Sequence, residues 1–346
     1  MLRYIAVVLL VSLSPLLVVP AVNFTVDPFH VFRERDSLAA GISVFRSERF
    51  INPGLMRHRA YDGLIVGTSM VQNFRPSQVG SAFGGAFLNV GMGGSSLKEQ
   101  AAVISAAEEL GRAPSKILWG LDMRTWAADP GAPIDPSVFP TYLYEDDWLG
   151  VAKNYLLSKD IFLLSWSAFG RTSIPIDVDN LYRWSTGGYV FACESVQRTY
   201  QDGALEGASP AVLQQAATLQ VGVTIEPIVA AYPQTTFYLF IPPYSSAEFF
   251  RLGENAPGVL EALEPFAVAL MELAVRHKNV RLYDFRTQWS IVTDLDLFKD
   301  GLHYSPEVND LMASYMAAHD ALPPDGQFLL RAAGLMKSNV FSQCDK

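Results

Sequence analysis

The sequence predicts an α/β fold built on a central parallel sheet. Three observations lead there. Short apolar runs recur at Leu64-Ile65-Val66, Phe87–Val90, Lys116–Leu121, Thr236–Ile241 and Val280–Phe285, and runs of that length bounded by turn residues read as buried strands. Stretches with apolar residues at helical spacing lie between several of them, such as Leu97, Ala101, Ile104 and Ala107. Strand, helix, strand in this rhythm means parallel strands joined by crossover helices.

Composition narrows the functional classes. With 346 residues the chain can hold one large domain or two small ones. Half of its residues are hydrophobic and 18% are charged, which excludes a multi-span membrane protein. The formal net charge is −9 and no Lys/Arg run occurs, so no nucleic-acid partner is expected. The five histidines show no metal-ligand spacing, and no metal or other cofactor is expected. Cys193 and Cys344 match no Cys-x-x-Cys motif. They either pair in an oxidising compartment or stay as two thiols, since Cys344 lies close to the terminus, where chains fray.

Residues 1–23 read as a membrane anchor. Arg3 precedes an apolar run from Ile5 to Val22 whose only polar members are Ser12 and Ser14. That length, about 18 residues, is enough to cross a bilayer core. An uncleaved single span is favoured over a cleaved signal peptide because the exit lacks an Ala-x-Ala site. A short N-terminal tail before a large domain places that domain outside the cytoplasm.

Residues 24–60 read as a membrane-proximal connector, with turn signals at Asp27-Pro28 and Asn52-Pro53-Gly54. The α/β domain is expected over 61–322. Within it, 124–207 breaks the βα rhythm and is rich in Trp, Tyr and Phe. That insertion reads either as a lid or substrate platform containing Trp126, Trp148, Trp166 and Trp184, or as a packed aromatic subdomain. A helix follows from Pro210 to about Ala231, which Pro227 should kink or shorten. Ser305 as cap and Pro306 at the first position mark the start of the last helix. Residues 323–346 read as a loose tail.

Two segments bear the marks of chemistry. The first strand runs into Gly67-Thr68-Ser69, and a serine at the carboxyl edge of a parallel sheet is placed as a nucleophile is. Asp300-Gly301-Leu302-His303 sits just before the last helix. Its spacing lets the carboxylate reach Nδ1 of the imidazole and leaves Nε2 to take a proton from a serine.

Taken together these blocks resemble the SGNH (GDSL-like) hydrolase superfamily, and the resemblance implies an α/β flavodoxin-like three-layer sandwich with a central parallel sheet. Gly67-Thr68-Ser69 resembles its first block, with Thr68 where the namesake motif has Asp. Asn89-Val-Gly-Met-Gly93-Gly94 resembles the second, and Asp300-x-x-His303 the last. The resemblance implies Ser69, His303 and Asp300 as catalytic triad, and the backbone N–H groups of Ser69 and Gly94 as oxyanion donors. The third block departs, because Asp122 stands where the family places an asparagine, and an ionised carboxylate cannot donate. With an N-terminal anchor the chain is most similar to the bacterial envelope branch. That implies an inner-membrane protein with a periplasmic domain that acts on acyl esters of a polysaccharide or lipid, by hydrolysis or by O-acyl transfer. The second possibility is a non-catalytic, membrane-anchored binding or assembly protein that keeps the fold.

Overall fold

The protein was analysed as a computed structural model, which describes residues 2–110, 112–126, 131–200, 210–326, 328, 331–332, 334 and 340–345. All five expected strands form: β1 (Gly63–Val66), β2 (Phe87–Asn89), β3 (Lys116–Gly120), β4 (Thr236–Ile241) and β5 (Val280–Asp284). They make one parallel sheet in the order β2-β1-β3-β4-β5. Leu64, Ile65 and Val66 are wholly buried, as a continuous apolar strand covered on both faces must be.

Helices of eight or more residues are α1 (Leu2–Val26), α2 (Val44–His58), α3 (Pro76–Phe83), α4 (Leu97–Glu109), α5 (Lys159–Ala168), α6 (Pro210–Gln220), α7 (Ser246–Asn255), α8 (Pro257–Arg276) and α9 (Pro306–Ala318). The chain steps from β1 to β2 in one direction, then returns past β1 to β3, β4 and β5. Right-handed crossovers therefore put α3 on one face of the sheet and the helices after β2, β3 and β4 on the other. The helix contacts agree: α3 packs on α9, and α6 on α8. This mixed α/β arrangement is compatible with a flavodoxin-like fold. Its strand order reverses between β1 and β3, which opens a crevice at their carboxyl ends.

The chain divides into two compact units. The larger comprises Tyr61–Ser105, Ala113–Ile134 and Val178–Lys346 and contains the sheet. The smaller comprises Met1–Ala60, Ala106–Arg112 and Asp135–Asp177. The segment expected as an insertion, 124–207, is thus shared between them.

In the smaller unit, α1 packs against α5. Among the described residues no helix is long and apolar enough to cross a membrane. The anchor expected over 1–23 falls largely on residues whose side chains lie outside those described. Residues 24–60, expected as a connector, contain ordered structure instead. Asn52-Pro53-Gly54 is not a turn but the buried middle of α2. Gly54 is required there because a Cβ would lie 2.3 Å from the carbonyl oxygen of Phe29. Ser37–Leu38 pairs antiparallel with Ile174–Pro175.

In the larger unit, α6 gives way to a π-helical turn (Val221–Ile225) and a short helix (Glu226–Ala231) with Pro227 in its first turn, as the proline predicts. The tail is not loose where it is described. Just before it, Leu322 bridges Tyr283 in parallel register. Phe328 is wholly buried, stacked on Trp289 and beneath the guanidinium of Arg286. Of the two states open to the cysteines, the disulfide is the one formed, between Cys193 and Cys344.

Candidate active site

β1 ends at Gly67, whose φ is +154°. A Cβ here would sit 2.7 Å from Val71 Cγ1 and 3.0 Å from the Gly120 carbonyl oxygen, so the close approach of the β3 backbone demands glycine. The turn that follows is held through its own carbonyls. Trp184 Nε1 donates to the Ser69 oxygen at 2.9 Å, and the Tyr304 hydroxyl to that of Met70 at 2.8 Å. Both anchors come from far along the chain, and together they fix where the Ser69 side chain projects.

Ser69 Oγ lies 2.9 Å from His303 Nε2. On the other side of the ring, His303 Nδ1 is 2.9 Å and 3.1 Å from the two oxygens of Asp300. An ionised carboxylate only accepts, so Nδ1 bears the proton and Nε2 is the lone pair facing the serine. Asp300 accepts three further bonds, from the backbone N–H groups of Leu302 and His303 and from Lys299 Nζ at 2.7 Å. Burial works against ionisation of Asp300. The bond and charge of His303, the Lys299 ammonium and the His303 backbone N–H outweigh it and hold the carboxyl well below its ordinary range.

The imidazole is also gripped from the side. Trp184 meets the His303 ring edge-on, with centroids 5.3 Å apart and planes at 78°. The Lys299 ammonium sits over the faces of Trp184 and Tyr189 at 5.0 and 4.9 Å, within cation–π range. Trp184 therefore touches three members of the constellation: the backbone of Ser69, the ring of His303 and the cation that neutralises Asp300. Trp148 and Trp166, named beside it from the sequence, belong to the smaller unit, and the side chain of Trp126 lies outside the described residues.

The second block does what its glycines allow. Asn89 is structural: its Nδ2 donates to the carbonyls of Val71 and Phe74, and its Oδ1 accepts from Gly91 N–H. Gly94 has φ +62° with open space where a Cβ would be. Ser96 and Glu99 cap the start of α4 reciprocally: Ser96 N–H reaches Glu99 at 2.7 Å and Glu99 N–H reaches Ser96 Oγ at 3.3 Å.

Asp122 is buried, 7% exposed. Its Oδ2 accepts from Thr68 Oγ1 at 2.9 Å and its Oδ1 from the Tyr244 hydroxyl at 3.3 Å. The Tyr244 oxygen in turn accepts from Met123 N–H at 2.7 Å. Thr68, which follows β1, and Asp122, which follows β3, are thus hydrogen-bonded to each other. That pairing, together with Lys299, Tyr304 and the contacts Trp184 makes with Ser69 and His303, was not found from sequence. Lys299 beside Asp300 was visible there only as adjacent charges.

Ser69, His303, Gly94 and Asp122 line one cavity of about 350 Å³, together with Thr68, Met70, Ser95, Ser96, Glu99, Thr125 and Leu302. It lies at the carboxyl ends of β1 and β3, where the strand order reverses. All the site residues expected from sequence converge here, with Asp300 one residue behind the wall. Among the described residues no group of three or more His, Cys, Asp or Glu could hold a metal ion. No family model matches the chain, and neither a curated protein nor a solved structure matches it.

Proposed function

We propose that the protein is a serine-dependent acyl-ester hydrolase or O-acyltransferase of the SGNH type, anchored by its N-terminal helix and acting on a cell-envelope polysaccharide or lipid. One observation supports this above all. The unbroken hydrogen-bond chain Ser69–His303–Asp300 opens into a cavity at the carboxyl edge of a parallel sheet. His303 Nε2 removes the proton as Ser69 Oγ attacks the ester carbonyl, and Asp300 stabilises the imidazolium. The imidazolium then protonates the departing alcohol, leaving the acyl group on Ser69. Water or an incoming hydroxyl, deprotonated by His303, releases it. The backbone N–H groups of Ser69 and Gly94 are the proposed donors to the oxyanion.

The envelope setting draws on the apolar run Ile5–Val22 and on the Cys193–Cys344 disulfide, which persists in oxidising compartments. A non-catalytic reading is favoured by Asp122 alone, since a carboxylate that accepts two hydroxyls donates nothing to an oxyanion.

A fluorophosphonate probe tests the proposal on the full-length protein in detergent. Labelling located by mass spectrometry at Ser69, and lost in Ser69→Ala, is expected. Folded protein that stays unlabelled at Ser69 would sink the catalytic reading.

A further inference from the structure

The smaller unit contains a second cavity, of about 310 Å³. Thr25 and Val26 at the end of α1 form part of its wall, and Ala168 at the end of α5 another. Its polar lining is Arg35, Arg171, His30, Thr25, Ser37 and Ser173, with no Asp or Glu. We propose that this cavity binds a phosphate group, either on a phospholipid headgroup or free in solution.

Two guanidiniums set its charge. Neither Arg35 nor Arg171 has an ion-pair partner among the described residues. Arg35 Nη2 donates to the Thr25 carbonyl at 2.6 Å, while its buried Nε has no partner. Half of a fork suited to paired oxygens is therefore unused. The Arg171 guanidinium folds back over the Ala40-Gly41 turn, where a Cβ on Gly41 would stand 4.0 Å from Nη1. The carboxylates close by in sequence are occupied elsewhere. Glu34 and Asp36 pair with Arg59 at 3.3 and 3.4 Å. Asp27 accepts from the N–H groups of Val31 and Phe32 and from the Tyr155 hydroxyl. The last carbonyls of α1, which would repel an anion, are capped by Arg33 and Arg35.

The cavity is also built rather than incidental. The ladder of Ser37–Leu38 with Ile174–Pro175 clamps the two segments that supply the arginines, and Ile176 N–H extends it to the Asp36 carbonyl at 2.8 Å. His30 is 4% exposed and sits at φ +57°, a left-handed conformation costly for a residue with a side chain. It is held by a bond of 2.9 Å between Nε2 and the Ser37 carbonyl. Near the cavity α5 exposes Trp166, and Phe169, just past the end of α5, is exposed in the cavity wall; large aromatic side chains of this kind suit a membrane interface. The headgroup source rests on reading α1 as an anchor, whereas the phosphate chemistry does not.

The test uses full-length protein, with thermal unfolding as the readout, because a ligand of the native state raises the unfolding temperature by mass action. One arm titrates inorganic phosphate into protein in uncharged detergent. The other compares nanodiscs of phosphatidylcholine with and without phosphatidic acid. Stabilisation by inorganic phosphate identifies the free anion as sufficient, and stabilisation by phosphatidic acid alone identifies the headgroup. Arg171→Gln should weaken the effective arm by about 10- to 100-fold in apparent affinity, and Arg35→Gln should do the same if it folds. Ser69→Ala should respond like the wild type, so failure of the triad leaves this result standing. No stabilisation in either arm, or a response unchanged by Arg171→Gln, overturns the proposal.

Discussion

The turns after β1 and β3 leave adjacent strands at the same edge of the sheet, yet they present opposite chemistry. The β1 turn aims Ser69 at a base 2.9 Å away and leaves its hydroxyl oxygen facing the cavity. The β3 turn offers Asp122, whose two oxygens face Thr68 and Tyr244. The first turn is arranged toward a reacting group and the second toward the scaffold. In an oxyanion hole an amide at the second position would address the substrate, whereas here the side chain fastens the strand bearing the nucleophile. The difference teaches that a side chain at the edge of a site can serve the site by holding its turn instead of meeting the substrate. A hydroxyl on β1 and a carboxylate on β3 are matched in chemistry, and each accounts for the other.

That contrast can be broken at either turn, and the largest effect is expected on the β1 side. His303→Ala removes the base from Ser69. Fluorophosphonate labelling should fall by about 10²–10⁴-fold, the usual worth of a general base, with the circular dichroism spectrum unchanged. A variant that labels at the wild-type rate would mean that Ser69 reacts without His303, and the hydrogen-bond chain would have no catalytic meaning.

On the β3 side the expected loss is in stability. Asp122→Ala leaves two buried hydroxyls without their acceptor and should cost about 2–3 kcal/mol in urea unfolding. Asp122→Asn keeps one acceptor oxygen for Thr68 and should cost less than half as much. If the alanine variant were as stable as the wild type, Asp122 would not be a fastening residue. Thr68→Val probes the same bond from the other end. It deprives Asp122 Oδ2 of one donor and Met70 N–H of the Thr68 oxygen, 3.3 Å away, and should cost about 1–2 kcal/mol. A double-mutant cycle with Asp122→Ala should show strong coupling, because the two changes remove one shared interaction.

What the sequence made legible follows from how local each signal is. The five strands were placed within about a residue at each end because their runs are short, apolar and closed by turn residues, a pattern that few other structures share. Asp300-x-x-His303 was readable because both partners lie on one turn. Trp184 was not, since its bond to the Ser69 carbonyl spans 115 residues and indole next to a carbonyl has no local spacing. Thr68 with Asp122 looked like two separate departures until the strands were laid side by side. Asn52-Pro53-Gly54 misled for the opposite reason. Its turn chemistry is real, but close packing of Gly54 on the Phe29 and His30 carbonyls overrides it within α2. The nearness of Cys344 to the terminus left its pairing with Cys193 open, and the structure closes it across 151 residues.

Lys299 offers the finest test, because it belongs to the β1 side through Asp300 and to the aromatic wall through Trp184. Lys299→Met keeps the apolar stem over the Trp184 and Tyr189 rings and removes the ammonium from Asp300. The two side chains are 18% and 24% exposed, so the loss at neutral pH should be about 1 kcal/mol. Its pH dependence has a definite sign. A carboxyl whose folded pKa is depressed stabilises the fold above its unfolded value of about 3.9, and that stability drains away as pH falls through the folded value. Removing Lys299 takes away one of the causes that depress Asp300, so the folded value rises toward the unfolded one and the stability tied to Asp300 ionisation becomes smaller and is exhausted at a higher pH. Urea midpoints measured from neutral pH down to about pH 2 should therefore show a deficit of Lys299→Met that is largest at neutral pH and shrinks as Asp300 is protonated, while Lys299→Arg tracks the wild type. A difference between Lys299→Met and wild type that stays the same across that range would remove Lys299 from the set of groups that hold Asp300 ionised, and would leave its stacking on Trp184 as its only contribution to the site.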